Sequence, residues 1–458
     1  MPITATGLLF VLIMGVICFT APRRYAVLPL FASVLWMPVG QSIDILGFHF
    51  YAFRFIALLS LIRVLIRREF PIGSWTVLDK TVLVWMAIFV ATSTLHKPQV
   101  FSTRLGMIYN FAAPYVIFRC LVTDFQSFKT AALIAIMVFL PMTVLLVVER
   151  QTGKNWFYLL GGVEETSAAR DEQVRAQGPF AHPINAGLAG AMTVGLALLL
   201  WQERRKTALL GICVGLAAIY ACSSSGPVMA GGIILGAACC YRWRAHSKQA
   251  TRWGFVGLIA LQLAMNAPVW YLIARVKVFG GSTAWHRAEL INSSFKYFNE
   301  WWLAGTDVTR HWMPGGLDGV NEDFADITSE YVWMMVAGGL GLFLTFVVLL
   351  VHAFRCVGKM RAWSENGGTP GAHPFEAWAI TGMLLAFSIT FLTISYFDQV
   401  KTYWCFITAA VSSWWASTAL QKAGASDTSL SLLPRNLEPQ EPVPDPAAWQ
   451  GDQMEQLK

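Results

Sequence analysis

Backbone that crosses a bilayer must satisfy its hydrogen bonds within its own segment. A chain that repeats apolar runs of about 17–25 residues is therefore restricted to a bundle of helices. Such runs recur near 5–20, 25–39, 48–66, 80–95, 104–120, 129–148, 184–201, 207–222, 227–241, 253–273, 330–353, 376–396 and 403–420. The second is short and ends at Pro38, which leaves twelve or thirteen helices. Charged residues make up 13% of the chain and hydrophobic ones 55%, where a soluble domain carries about 25% charge. The expected fold is all-α: a polytopic membrane protein with about 12-13 transmembrane helices and two long outer-face loops. No basic residue precedes the first run, and Arg23 and Arg24 follow it. A cleavable signal has the reverse arrangement, so this first helix is expected to be retained.

Loop charge sets the orientation. Arg23 and Arg24, Arg67 and Arg68, Arg119 and Lys129, Arg204 to Lys206, Arg242 to Arg252, and Arg355 to Arg361 fall on alternate connections. These belong to the cytoplasmic side, which puts the N-terminus outside and the C-terminal tail inside. The net charge of +7 thus reflects topology, and no nucleic-acid partner is expected. The resulting organisation is 1–148, N-terminal helices; 149–183, first outer loop; 184–273, central helices; 274–329, large outer loop; 330–420, C-terminal helices; and 421–458, a Pro-rich acidic tail that cannot bury a core and reads as disordered. Without an internal repeat, a transporter built from duplicated halves is disfavoured. The cysteines lie mostly in apolar runs without metal-ligand spacing and read as packing residues.

The expected spans hold almost no charge. Arg54, Arg63, Arg119 and His352 lie near helix ends, where they can snorkel to the interface. Chemistry is therefore expected in the outer loops. In the first, Arg170 and Arg175 precede the Gly178-Pro179-Phe180 turn, and His182-Pro183 leads into a helix with Asn185 at its mouth. A guanidinium beside a helix start suits a phosphate, since the fork meets two oxygens and the helix adds backbone donors. Equally, Arg175 can pair with Glu172 or a lipid headgroup. In the second loop, residues 284–303 carry Trp285, Leu290, Phe295, Phe298, Trp301 and Trp302 at helical spacing. That suggests an amphipathic helix on the membrane face, its aromatics serving as an interfacial belt or as stacking faces for sugars. The acidic run Asp318 to Asp326 matches no EF-hand loop.

Three stretches, taken in order, carry a resemblance. Arg175-x-x-Gly178-x-Phe180-x-His182-Pro183-x-Asn185 resembles an Arg-x-x-Gly-x-Phe-x-x-Pro-Asn motif, with one residue inserted before the Asn. Arg287 followed by Trp301-Trp302-Leu303-Ala304-Gly305 resembles an Arg, a helix and a Pro-Leu-x-Gly turn. Thr328-Ser329-Glu330-Tyr331 with Gly338-Gly339-Leu340-Gly341 resembles His-Asn-x-Tyr followed by Gly-x-x-Gly. A weaker match sets Ser223-Ser224-Ser225-Gly226 on Ser-x-Arg-Gly. Over about residues 170–350 the chain resembles the bacterial O-antigen ligase and O-antigen polymerase superfamily, including relatives encoded with exopolysaccharide genes.

The resemblance implies a glycosyltransferase that uses no metal or other cofactor, with its site on the periplasmic face of the inner membrane. It implies a glycan on undecaprenyl pyrophosphate as donor, and an acceptor glycan or lipid A core. A chain-length regulator or a flippase is an implied partner. By position, Arg175 and Arg287 go to the pyrophosphate. Arg170, Gly178, His182, Asn185, Trp285, Trp301, Trp302, Arg310, Thr328 and Tyr331 are candidate substrate-binding residues. The family's His position holds Thr328, which cannot act as a base, and this leaves Glu330, Asp326 or His286 for that role. The Asp326-Ile327-Thr328-x-x-Tyr331 form leans toward polymerase over ligase. Two other readings stand beside it: a transporter or flippase of lipid-linked glycan, and a non-catalytic subunit of a polysaccharide assembly complex.

Overall fold

A computed structural model describes residues 3–45, 48–170, 172–275, 284–313, 323–367, 372–396 and 398–431. The tail 432–458 and most of the acidic run, Asp318 to Glu322, lie outside the described residues. One compact unit covers Met1–Thr418. A second, Ala419–Lys458, is described only as the continuation of the helix Asp398–Ser431. The chain is mainly helical, with two small antiparallel hairpins: Ile43–Ile45 with Phe48–Phe50, and Ala169–Arg170 with Gln173–Val174.

Local chemistry sets the helix ends. Thr76 and Asp79 form a reciprocal capping box that opens Val77–Ser93, and Asp124 with Ser127 does the same for Phe125–Thr152. The latter ends on Gly153 at φ 71°, a left-handed position that glycine occupies without a Cβ penalty. Pro183 occupies the first turn of Pro183–Leu198, where its missing N–H is not needed. That helix is buried almost throughout and packs on Arg205–Cys222 and Ser225–Cys239. Small residues permit the approach: a Cβ on Gly215 would lie 2.5 Å from the Gly190 carbonyl oxygen.

Among the described residues, Phe125–Thr152, Arg205–Cys222 and Glu330–Glu365 are long and apolar enough to cross a membrane. A fourth joins them if the bent pair Ser225–Ala264 and Val269–Arg275 counts as one span. Ala5–Thr20, Pro183–Leu198 and Pro374–Thr390 are apolar but shorter. Several expected runs are redrawn. The run 25–39 folds as Leu28–Trp36, nine residues, which rise only about 14 Å against a hydrocarbon core of about 30 Å. The run 48–66 begins as a hairpin strand, and its helix is Ala52–Ile66. The run 253–273 breaks after Ala264, and 376–396 stops being helical at Thr390.

Arg63 and Arg119 depart from the snorkelling expectation. Arg63 is fully buried, forks onto both Glu69 carboxylate oxygens at 2.8 Å, and also donates to the Ala21 carbonyl. Arg119 is buried against Asp79 at 3.2 Å. Lys129, counted above as a loop cation, is buried between Glu203 and Glu376 at 2.6 and 2.7 Å. A carboxylate within reach makes burial less costly than stretching to an interface. These cations therefore tie separate parts of the chain together.

Candidate functional site

The first loop is fastened before it can present anything. Glu149, at the end of Phe125–Thr152, accepts from the Gln177 and Gly178 N–H groups at 2.9 Å and from Ser167 Oγ at 2.8 Å. Asn155 Nδ2 donates to the Gly178 carbonyl at 2.8 Å. Gly178 sits at φ 58° with Leu146 3.0 Å from its missing Cβ. Gly178 is therefore the pivot of a clamped turn and does not line the cleft. The Ala169–Arg170/Gln173–Val174 hairpin precedes it, and Ala176 N–H bonds the Ala221 carbonyl at 3.1 Å. Arg170 and Arg175 are thus carried by a braced segment.

That segment forms one wall of a cleft of about 250 Å³. Arg170, Arg175, His182, Ile184 and Asn185 come from the first loop and the start of Pro183–Leu198; Arg287 comes from Ala284–Lys296; Asp326 and Thr328 come from the irregular approach to Glu330–Glu365. Arg287 and Arg175 lie more than a hundred positions apart, and the fold brings them together. Thr393, Ile394 and Ser395 supply a further wall. Sequence reading missed that wall, because Thr-Ile-Ser sits uncharged at the end of an apolar run.

The lining is electrostatically unbalanced. Among the described lining residues three guanidiniums face one carboxylate, Asp326, a net of plus two with His182 neutral. Arg175 Nη2 donates to Ser224 Oγ at 2.6 Å, so its partner is that serine and not Glu172. Arg175 Nε, Arg287 Nε and Thr328 Oγ1 are buried with no hydrogen-bond partner among the described residues. Asn185, almost fully buried, lines the cleft beside them. Burial, and then the field of Arg170, hold both the Arg175 and Arg287 guanidiniums below their usual range; Asp326 offsets part of this for Arg287. Buried donors without acceptors are uncommon in a finished fold, and like cations this close favour an anion between them.

His182 caps the helix start by accepting the Ile184 N–H on Nδ1 at 3.1 Å. Its proton therefore sits on Nε2, so the ring is a fixed donor at the cleft. Crowding by protein first, then Arg175, Arg287 and Arg170, push its pKa down to about 4. The ring is expected to stay neutral at pH 5.5, and histidine NMR shifts should show no titration near 6.5; a midpoint there would contradict these fields. Because the folded value is the lower one, the unfolded chain takes up the proton first. Stability should fall as pH drops from about 6.5 toward 4.

Other expected residues go elsewhere. His286 Nε2 donates to the Asp326 carbonyl at 3.0 Å, so it sets Asp326 in place from behind and does not line the cleft. Glu330 is buried outside it. Its carboxylate accepts from Ser395 Oγ at 3.0 Å and Tyr396 N–H at 2.8 Å and lies 3.4 Å from Lys401 Nζ. Tyr331 donates to the Ser388 carbonyl at 3.1 Å and packs among Phe343, Phe346 and Phe391. Both residues tie the third wall down. Glu330→Ala leaves Lys401 unpaired and frees Ser395, and removing one partner of a buried pair costs about 3–5 kcal/mol. The expected result is a lowered melting temperature in detergent. A carboxylate acting only as a base would instead leave melting unchanged.

The expected amphipathic helix forms in two pieces, Ala284–Lys296 and Phe298–Trp301. Trp301 is buried and donates Nε1 to the Ser294 carbonyl at 2.7 Å, so it is core and offers no stacking face. Trp285 and Trp302 are exposed, and neither lines the cleft. Arg310 bonds the Asp323 carbonyl through its N–H at 3.0 Å, away from the cleft lining.

Two stretches read above as separate motifs meet each other. The helix Glu330–Glu365 is interrupted at Gly338 and Gly339. Into that break the loop sets its backbone: Thr306 N–H bonds the Val336 carbonyl at 3.0 Å, and Leu340 N–H bonds the Trp302 carbonyl at 2.8 Å. Asp307 adds ion pairs to His96 at 2.7 Å and Arg104 at 3.4 Å. Compared with known protein families and with characterised proteins, the chain gives no match.

Proposed function

We propose that this chain is a glycosyltransferase of the bacterial inner membrane. In this reading it transfers a glycan from undecaprenyl pyrophosphate to a sugar hydroxyl on the periplasmic face, as its resemblance to the O-antigen ligase and polymerase superfamily implies. The observation that carries the proposal is the cleft. Arg170, Arg175 and Arg287 converge with buried, unpartnered donors beside a helix start and a single carboxylate. A multi-span membrane topology, with residues 149–183 and 274–329 outside, is part of this reading. It is supported by the apolar helices and by the clustering of both loops at one site.

The acceptor oxygen attacks the anomeric carbon, and the bond from that carbon to the pyrophosphate oxygen breaks. The electron pair leaves on the pyrophosphate, whose charge the guanidiniums stabilise. The hydroxyl proton passes to Asp326, the one carboxylate among the described lining residues. A polymerase uses another lipid-linked glycan as acceptor and a ligase uses lipid A core; the Asp326-to-Tyr331 form favours the polymerase. A carrier of the same lipid can draw on the buried cations Arg63, Arg119 and Lys129, but each is already closed by a carboxylate of its own. Purified protein in liposomes with lipid-linked repeat units decides between them. Chain extension supports the transferase, whereas translocation without extension overturns it.

A further inference from the structure

A second cavity, of about 360 Å³, lies between Ala52–Ile66, Val77–Ser93 and Pro98–Leu121. This is within the usual range for a ligand site. Its mouth is formed by exposed Leu65, Phe70, Trp75, Leu83 and Val116. Its floor is the Asp79–Arg119 pair with Tyr115, whose hydroxyl donates to Asp79 at 2.8 Å. That floor is internally satisfied, so it asks for no polar head.

Charge is found at the rim. The connection that supplies Phe70 and Trp75 also carries Arg67 and Arg68, and Lys80 follows in the first turn of Val77–Ser93, all three exposed. The two acids of the same stretch, Glu69 and Asp79, are taken by Arg63 and Arg119, which leaves the basic groups uncompensated. Arg68 sits at φ 53° where Ala52–Ile66 ends, with Glu69 N–H returning to the Val64 carbonyl at 3.0 Å. A left-handed residue at this kind of helix end is usually glycine, and an arginine there is strained.

We propose that this cavity holds one acyl chain of an anionic phospholipid, whose headgroup rests on Arg67, Arg68 and Lys80. Apolar walls suit the chain, and the cationic rim selects the head. The inference rests on the membrane part of the proposed function and not on its chemistry. The test is fluorescence quenching by dibrominated lipid. Protein is reconstituted in phosphatidylcholine vesicles containing phosphatidylglycerol, with bromine on one lipid or the other, and the Trp75→Phe signal is subtracted from the parent signal. Stronger quenching of Trp75 by labelled phosphatidylglycerol is expected. Arg68→Gln should reduce that preference about fivefold, the effect of one basic group at an anionic surface, and Val82→Trp should fill the cavity and abolish it. Equal quenching by both lipids, or a preference unchanged in Arg68→Gln, overturns the site. Because Arg68 is on the surface, that second outcome is readable even where Val82→Trp fails to fold. Protein recovered outside the vesicles overturns the membrane reading together with the site, whereas inserted protein with equal quenching overturns the site alone.

Discussion

Arg287→Ala and Arg175→Ala are each expected to lower glycan transfer by at least about 10²–10³-fold, the loss found when one preorganised charge-stabilising donor is removed. Both side chains line the cleft, and both keep a buried Nε without a partner. The donors are therefore held ready before any anion arrives, and no internal bond competes for Nε. Neither variant should lower stability much, because each removes a cation from a cluster of like charges. Lysine at either position keeps the charge and loses the fork, so only partial recovery is expected. Transfer assays on purified protein, with melting temperature measured in parallel, check this. Full-length polymer from both alanine variants would remove the pyrophosphate assignment.

A stability effect as large as that of Glu330→Ala is expected at Gly305. Its φ is 87°, and an added Cβ would lie 2.1 Å from the Val336 carbonyl oxygen. Backbone offers no flexible end that can move away, so Gly305→Ala must undock the loop or shift the broken helix. Strain and overpacking together amount to roughly 3–5 kcal/mol. Gly339→Ala meets the same junction from the other side, 2.7 Å from the Leu303 carbonyl carbon and at φ 73°. The two positions share one interface, so the double variant should cost less than the sum of the singles. Thermal unfolding of the four proteins tests this. Wild-type melting in Gly305→Ala would mean that the loop does not dock there.

The same junction shows what could be read from sequence. Trp301 to Gly305 and Gly338 to Gly341 were each legible as unusual, because glycine pairs and tryptophan pairs interrupt apolar runs. Their mutual docking was not, since it depends on backbone left free by a helix break. Arg175, His182, Asn185, Arg287, Asp326 and Thr328 were legible as polar residues in otherwise apolar surroundings. Thr393 to Ser395 were hidden because they resemble their neighbours. Glu330 was legible as a carboxylate, but only its partners Ser395, Tyr396 and Lys401 show that it braces a wall. The aromatic pattern gave the helix around Leu290 but could not tell the buried Trp301 from the exposed Trp302. Helix ends moved where caps decided them, as at Thr76 and Asp124.

The cleft draws its walls from residues 170–185, 287, 326–328 and 393–395. It therefore does not exist until the last of these has been synthesised and placed. A nascent chain that has threaded everything up to Arg287 holds three guanidiniums with neither the carboxylate nor the far wall. The cleft is thus completed only by the C-terminal part of the chain, and a chain shortened before residues 393–395 lacks one of its walls.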